Sequence, residues 1–109
     1  MMKRYIINSA MIPCQGTFKY REIGGMEFER LVQEHRLDLI SMIGYPDTVK
    51  IIESISGVNV GLNRGKFSME EGDTAIIIKL KYRVPDPSQK GRFTPGKGDF
   101  EFGFLERIG

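Results

Sequence analysis

Thr74-Ala75-Ile76-Ile77-Ile78-Lys79-Leu80-Lys81-Tyr82-Arg83-Val84 decides the fold class of this chain. Ile76, Ile78, Leu80 and Tyr82 fall on one side of an extended chain and Ile77, Lys79, Lys81 and Arg83 on the other, the period of two of a β-strand. Downstream, Phe100, Phe102 and Phe104 alternate in the same way and predict a last strand. Between the two lies Pro85 to Gly98, where Pro85, Pro87, Pro95, Gly91, Gly96 and Gly98 predict a mobile loop, placed to serve as a lid. Upstream, Gly57 to Gly72 reads as loop, with a short strand expected at Lys66 to Ser68 and a turn at Glu70-Glu71-Gly72-Asp73.

The period changes further upstream. Pro46 at a first helical position, Asp47 in the first turn, a stripe of Val49, Ile52 and Ile55 flanked by Ile51, and a stop at Gly57 bound a helix at both ends. Phe28, Leu31, Val32 and His35 stand at i, i+3, i+4 and i+7, so residues 26–36 form an earlier helix after the Gly24-Gly25 break. The apolar run Leu37 to Ile43 between them suits a buried strand or an extended approach. Thr17 to Ile23 sets Phe18, Tyr20 and Glu22 against Lys19 and Arg21; polarity on both faces marks a strand near a sheet edge. Lys3 to Asn8, rich in β-branched and aromatic residues, gives a first strand. Strands at both ends with two helices between them specify an α+β fold, a single domain over residues 1–109 built on one mixed sheet flanked by helices.

The 109 residues carry 16 Lys+Arg against 14 Asp+Glu, 40% hydrophobic and 28% charged residues. A net charge of +2 is too small for indiscriminate polyanion binding, and no double-stranded nucleic acid partner is expected. Cys14, the only cysteine, excludes an intrachain disulfide and a multi-cysteine zinc cage. The first residues lack the apolar core of a signal peptide, and the longest apolar run, Ala75 to Ile78, is far below the roughly 20 residues that span a bilayer. A soluble cytoplasmic protein with no membrane partner is the expectation.

Side chains suited to catalysis are scarce. His35, the only histidine, sits on the apolar face of its helix and reads as a structural residue at the helix end. Cys14 has no evident base. Glu70, Glu71 and Asp73 lack the spacing of an EF-hand, and no glycine pattern makes a P-loop or dinucleotide fingerprint. No metal and no cofactor are expected.

Three features carry more. Lys79, Lys81 and Arg83 stand about 6.6 Å apart along one strand face, which resembles the phosphate spacing of a nucleic-acid strand; a solvated sheet face reads the same. Ile43-Gly44-Tyr45-Pro46-Asp47-Thr48 forms a helix N-terminus, whose free N–H groups and positive dipole end suit a phosphate. Pro46 removes one donor there, Asp47 repels, and capping alone would explain the residues. Asn63-Arg64-Gly65 offers a guanidinium from a glycine-flanked loop, able to hold phosphate through two hydrogen bonds; a surface Arg would look the same.

In order, Tyr5-Ile6-Ile7-Asn8-Ser9-Ala10, Met42-Ile43-Gly44-Tyr45-Pro46-Asp47-Thr48, Leu62-Asn63-Arg64, Gly72-Asp73-Thr74-Ala75-Ile76, Leu80-Lys81-Tyr82-Arg83 and Phe100 to Leu105 resemble the viral and phage ring nucleases. These are anti-CRISPR proteins that degrade cyclic tetra-adenylate, a family long known only as a domain of unknown function from archaeal viruses and phages. The resemblance extends over nearly the whole chain. It implies a homodimer with a basic pocket across its two-fold axis, closing over a symmetric ring nucleotide. By position, Asn8 and Ser9 would lie near ribose and phosphate, Arg64 and Arg83 would hold phosphates, and Gly44 and Thr48 would stand at the helix N-terminus beside them.

One departure bears on activity. Directly after Ile-Gly the family carries His, which protonates the leaving oxygen once the ribose 2′-hydroxyl attacks the phosphate; here that position is Tyr45. A phenol ordinarily loses its proton near pH ~10 and is a poorer acid at neutral pH, and loss of a general acid costs on the order of 10² to 10⁴ in rate. Tyr45 suits binding, through its hydroxyl and by stacking. Three readings follow: a sponge that sequesters a cyclic oligonucleotide, a slow ring nuclease relying on Tyr45 or on positioning alone, or the same fold repurposed for a protein partner or another ligand.

Overall fold

The computed structural model describes residues 3–8, 15–63, 65, 67–80 and 97–109. In chain order these form β1 (Arg4–Ile7), β2 (Phe18–Ile23), α1 (Gly25–Glu34), β3 (Leu39–Ser41), α2 (Pro46–Ser56), β4 (Thr74–Leu80), a 3-10 turn (Lys97–Asp99) and β5 (Phe100–Arg107). One five-stranded sheet results, ordered β2-β5-β4-β1-β3. β1 is parallel to β3 and to β4, with Tyr5 opposite both Ile40 and Ala75. β5 runs against β4 and β2, with Phe102 opposite Ile78 and Ile23. The mixed sheet and the two helices are the α+β architecture that the alternation predicts.

Alternation divides the core in two. Ile6, Ile76, Ile78, Phe100 and Phe102 point to the side where Phe28 and Val32 of α1 and Ile52 of α2 close the packing. Phe28 stacks on Phe102 with ring centroids 4.4 Å apart. Tyr5, Ile7, Ala75, Ile77 and Leu105 point the other way and are buried with Met69, Phe67, Phe18 and Met42. β4 is thus apolar on both faces from Ala75 to Ile78, the pattern of a central strand.

The helix ends follow the local chemistry. α2 starts with Tyr45 as extended N-cap and Pro46 at the first position, and stops at Gly57, whose φ of 75° is left-handed and whose N–H reaches the Glu53 carbonyl at 2.7 Å. α1 ends at Glu34 with His35 as its C-cap, slightly before the predicted end. Within the expected strand at Lys66 to Ser68, residues 67 and 68 are not in a strand. Phe67 instead sets its ring edge-on to Tyr5, centroids 4.9 Å apart. β3 is shorter than its apolar run, because Leu37 is 93% exposed in the turn before it.

The 70–73 turn closes through Asp73, 1% exposed, whose two carboxylate oxygens accept the N–H groups of Lys3 and Glu70, both at 2.8 Å. Among the described residues no helix is long and apolar enough to cross a membrane.

Candidate functional site at the carboxyl end of the sheet

Because β1, β3 and β4 are parallel neighbours, their carboxyl ends open on the same side. β1 lies between the other two, so the chain leaves its end with β3 on one side and β4 on the other. The loops at the carboxyl ends of parallel strands are where open sheets bind their ligands. Asn8 follows β1 there, half-buried, and Met42-Ile43-Gly44-Tyr45 leads from β3 into α2. The Met42 N–H donates to the Ile6 carbonyl at 2.9 Å, which ties the two segments together.

The N-terminus of α2 faces this end. Among the described residues no side chain caps it, so the amides of Asp47 and Thr48 have no capping partner there, and the helix dipole adds positive potential. Tyr45, the N-cap, is 59% exposed, whereas Thr48 is half-buried in the first turn. Asn63 braces the connection from β3 to α2. Its N–H donates to the Ile43 carbonyl and its Nδ2 to the Ser41 carbonyl, both at 2.9 Å, while its Oδ1 accepts the Gly65 N–H at 3.0 Å. Beneath, Ser41 Oγ donates to the Gly61 carbonyl at 2.7 Å and accepts the Ile43 N–H at 3.2 Å.

The structure therefore brings Asn8, Gly44, Tyr45 and Thr48 to one end of the sheet. Ser9, Arg64 and Arg83 lie outside the described residues, as do Cys14, Lys81 and residues 85–96 of the predicted loop. Lys79, first of the basic row, is engaged by Glu101 at 3.4 Å. The sequence reading singled out Asn63 only as a neighbour of Arg64 and passed over Ser41. An Asn two residues before a Gly was the available signal, since its amide oxygen bonds the backbone two residues on.

Amide donors, a hydroxyl, a carboxamide and an exposed phenol can hold an anionic group attached to a sugar or a ring. Among the described residues no three His, Cys, Asp or Glu side chains come together as a metal site. His35 is remote from this end: it caps α1 near the amino ends of β1 and β4 and lines a cavity of about 280 Å³ with Arg4, Thr74, Phe104 and Glu106. Tyr5 is 8% exposed, and burial pushes its phenol above the ordinary tyrosine range, the Lys3 charge opposing and the Asp73 and Glu70 charges adding.

Known proteins are similar to this chain in fold and in sequence. B116 of Sulfolobus turreted icosahedral virus superposes with a TM-score of 0.77 at 19% identity, covering 96% of this chain and 99% of that one. Uncharacterized protein 26 of Sulfolobus islandicus filamentous virus is 30% identical over 86 residues, 75% of this chain and 71% of the relative. Uncharacterized protein ORF117 of Acidianus two-tailed virus is 26% identical over 85 residues, 75% of this chain and 73% of the relative. The STIV B116-like family model matches residues 4–92, well over half of the sequence, and the chain belongs to that family.

Proposed function

We infer that the chain binds a cyclic oligonucleotide of the cyclic tetra-adenylate class and sequesters it, with little or no cleavage. The observation that carries this reading is the α2 N-terminus without a side-chain cap, flanked at one end of the sheet by Asn8, Tyr45 and Thr48. Phosphate is the natural guest of such a terminus. Thr48 and the Asp47 and Thr48 amides take phosphate oxygens, Asn8 takes ribose hydroxyls, and Arg64 and Arg83 add charge. A two-fold dimer presents the same groups to each half of a symmetric ring.

Tyr45 decides between retention and turnover. Exposed at the head of α2, it offers a phenol where the ring nucleases carry an imidazole. A phenol stacks and hydrogen-bonds well but donates its proton reluctantly, so the leaving oxygen lacks an acid and cleavage falls on the order of 10² to 10⁴.

Calorimetric titration with cyclic tetra-adenylate, followed by chromatography of the recovered nucleotide, tests the reading. One ring per dimer, recovered intact after long incubation, is the expected result, with binding abolished by Arg64→Ala or Arg83→Ala. Tyr45→His is expected to raise cleavage by roughly 10² or more. Linear products from the unaltered protein would make it a slow nuclease. Absence of binding heat would remove the ligand class altogether.

A further inference from the structure

The two edges of the sheet are finished differently. Beside β3 runs the segment 58–63, held by the bonds of Ser41 to Gly61 and of Asn63 to the Ser41 and Ile43 carbonyls. β2 forms the other edge, with Lys19, Tyr20, Arg21 and Glu22 all exposed. The Thr17 carbonyl accepts the Ile108 N–H at 2.8 Å. In an antiparallel pair alternate residues turn both backbone groups to the same neighbour. Lys19, Arg21 and Ile23 thus bond β5, and Phe18, Tyr20 and Glu22 direct their N–H and carbonyl groups outward.

Charge selects what can pair there. A second copy placed antiparallel about Tyr20 sets Lys19 against Arg21 of the partner subunit. Shifting by one pair in either direction sets Lys19 against Lys19 of the partner subunit, or Arg21 against Arg21 of the partner subunit. Like charges directly opposite destabilise a ladder, so each of these self-pairings is penalised. Glu27 pairs with Arg21 from the helix side at 2.9 Å and leaves the Arg21 side chain half exposed, whereas Lys19 makes no ion pair among the described residues. On the other face Tyr20 is 50% exposed. Its ring is set over Gly103, where a Cβ would stand only 2.5 Å away, which leaves a flat aromatic surface beside the edge.

We propose that the β2 edge takes an additional strand from a partner polypeptide, an extended acidic segment with carboxylates beside Lys19 and Arg21 and apolar side chains beside Tyr20. Main-chain hydrogen bonds at Phe18, Tyr20 and Glu22 supply the affinity, and Lys19 supplies the selection by charge. This surface lies apart from the carboxyl end of the sheet and does not depend on the nucleotide reading.

The test is amide NMR of the intact protein with a blocked peptide of alternating Glu and Val, against the same peptide with Lys for Glu. The Glu peptide is expected to slow exchange of the Phe18, Tyr20 and Glu22 amides, and the Lys peptide to leave them unchanged. Glu22→Pro removes one outward N–H, a substitution that edge strands tolerate, and is expected to weaken binding at least tenfold with Tm preserved. If that variant fails to fold, Lys19→Glu serves instead and should reverse the preference between the peptides. Equal binding of both peptides, or of neither, overturns the proposal. So does edge protection that grows with protein concentration alone, which would make the edge a contact between copies.

Discussion

Replacing Asp73 by Ala is expected to remove a large part of the stability of this domain. The carboxylate is 1% exposed and accepts the N–H groups of Lys3 and Glu70 at 2.8 Å each. The same residue's backbone accepts the Arg107 N–H at 3.1 Å, so β1, the 70–73 turn and the end of β5 converge on it. Hydrogen bonds to a charged acceptor contribute about 1.5–3 kcal/mol each. Both donors are only part-buried, and water recovers some of that loss, which leaves about 2–4 kcal/mol. For a domain of this size 1 kcal/mol moves Tm by about 4 °C, so a fall of about 8–16 °C is expected. Calorimetry and urea unfolding of Asp73→Ala would measure it, and Asp73→Asn, which retains one acceptor oxygen, should lose roughly half as much. A loss below about 1 kcal/mol in the Ala variant would refute the assignment of this carboxylate as the clamp on β1.

Phe28→Ala deletes a fully buried ring stacked on Phe102 at 4.4 Å, and urea unfolding should show a loss of about 3–5 kcal/mol. Gly57→Ala meets no atom within 4 Å, so its cost is the left-handed backbone alone, about 1 kcal/mol, seen as a small drop in Tm with the fold unchanged. Because burial raises the Tyr5 phenol, the folded state keeps a proton that the unfolded state releases. The Tyr5 contribution is therefore complete below the ordinary tyrosine range near pH ~10 and is lost as pH rises through the raised value. Spectrophotometric titration of tyrosinate, compared with Tyr5→Phe, should show this residue ionising above the ordinary tyrosine range.

Local signals were read well from the sequence. The Gly57 stop, Pro46 at the head of α2 and the two-sided apolar run Ala75–Ile78 each depend on chemistry within a few residues of the position concerned. Strand order does not: β1 finds β3 and β4 across 35 to 70 residues of chain, and nothing near Arg4–Ile7 announces its neighbours. Phe67 fell within the short strand expected at Lys66 to Ser68, yet its ring is used against Tyr5 rather than its backbone in a ladder. Asp73 read only as the last residue of a turn, since burial of a carboxylate depends on donors brought from Lys3 and Glu70. At the candidate site, Gly44, Tyr45 and Thr48 were legible from their spacing around a helix start. Their convergence with Asn8 required the parallel pairing of β1 with β3, and the clamp formed by Asn63 required the return of the 58–63 segment.

The position of β1 also sets a timetable for assembly. The strand nearest the start of the sequence is hydrogen-bonded on both sides by strands encoded later, with Arg4 opposite Leu39 and Thr74. As synthesis proceeds, Tyr5-Ile6-Ile7 has no ladder partner until β3 has been made, and its second partner comes only with β4. Pairings this distant are slow and leave apolar strands exposed to aggregation in the interval. Assembly of the carboxyl end of the parallel strands is therefore an event that follows translation of β4, and a nascent chain halted before Leu39 would display three consecutive core residues, Tyr5-Ile6-Ile7, with no strand to pair with.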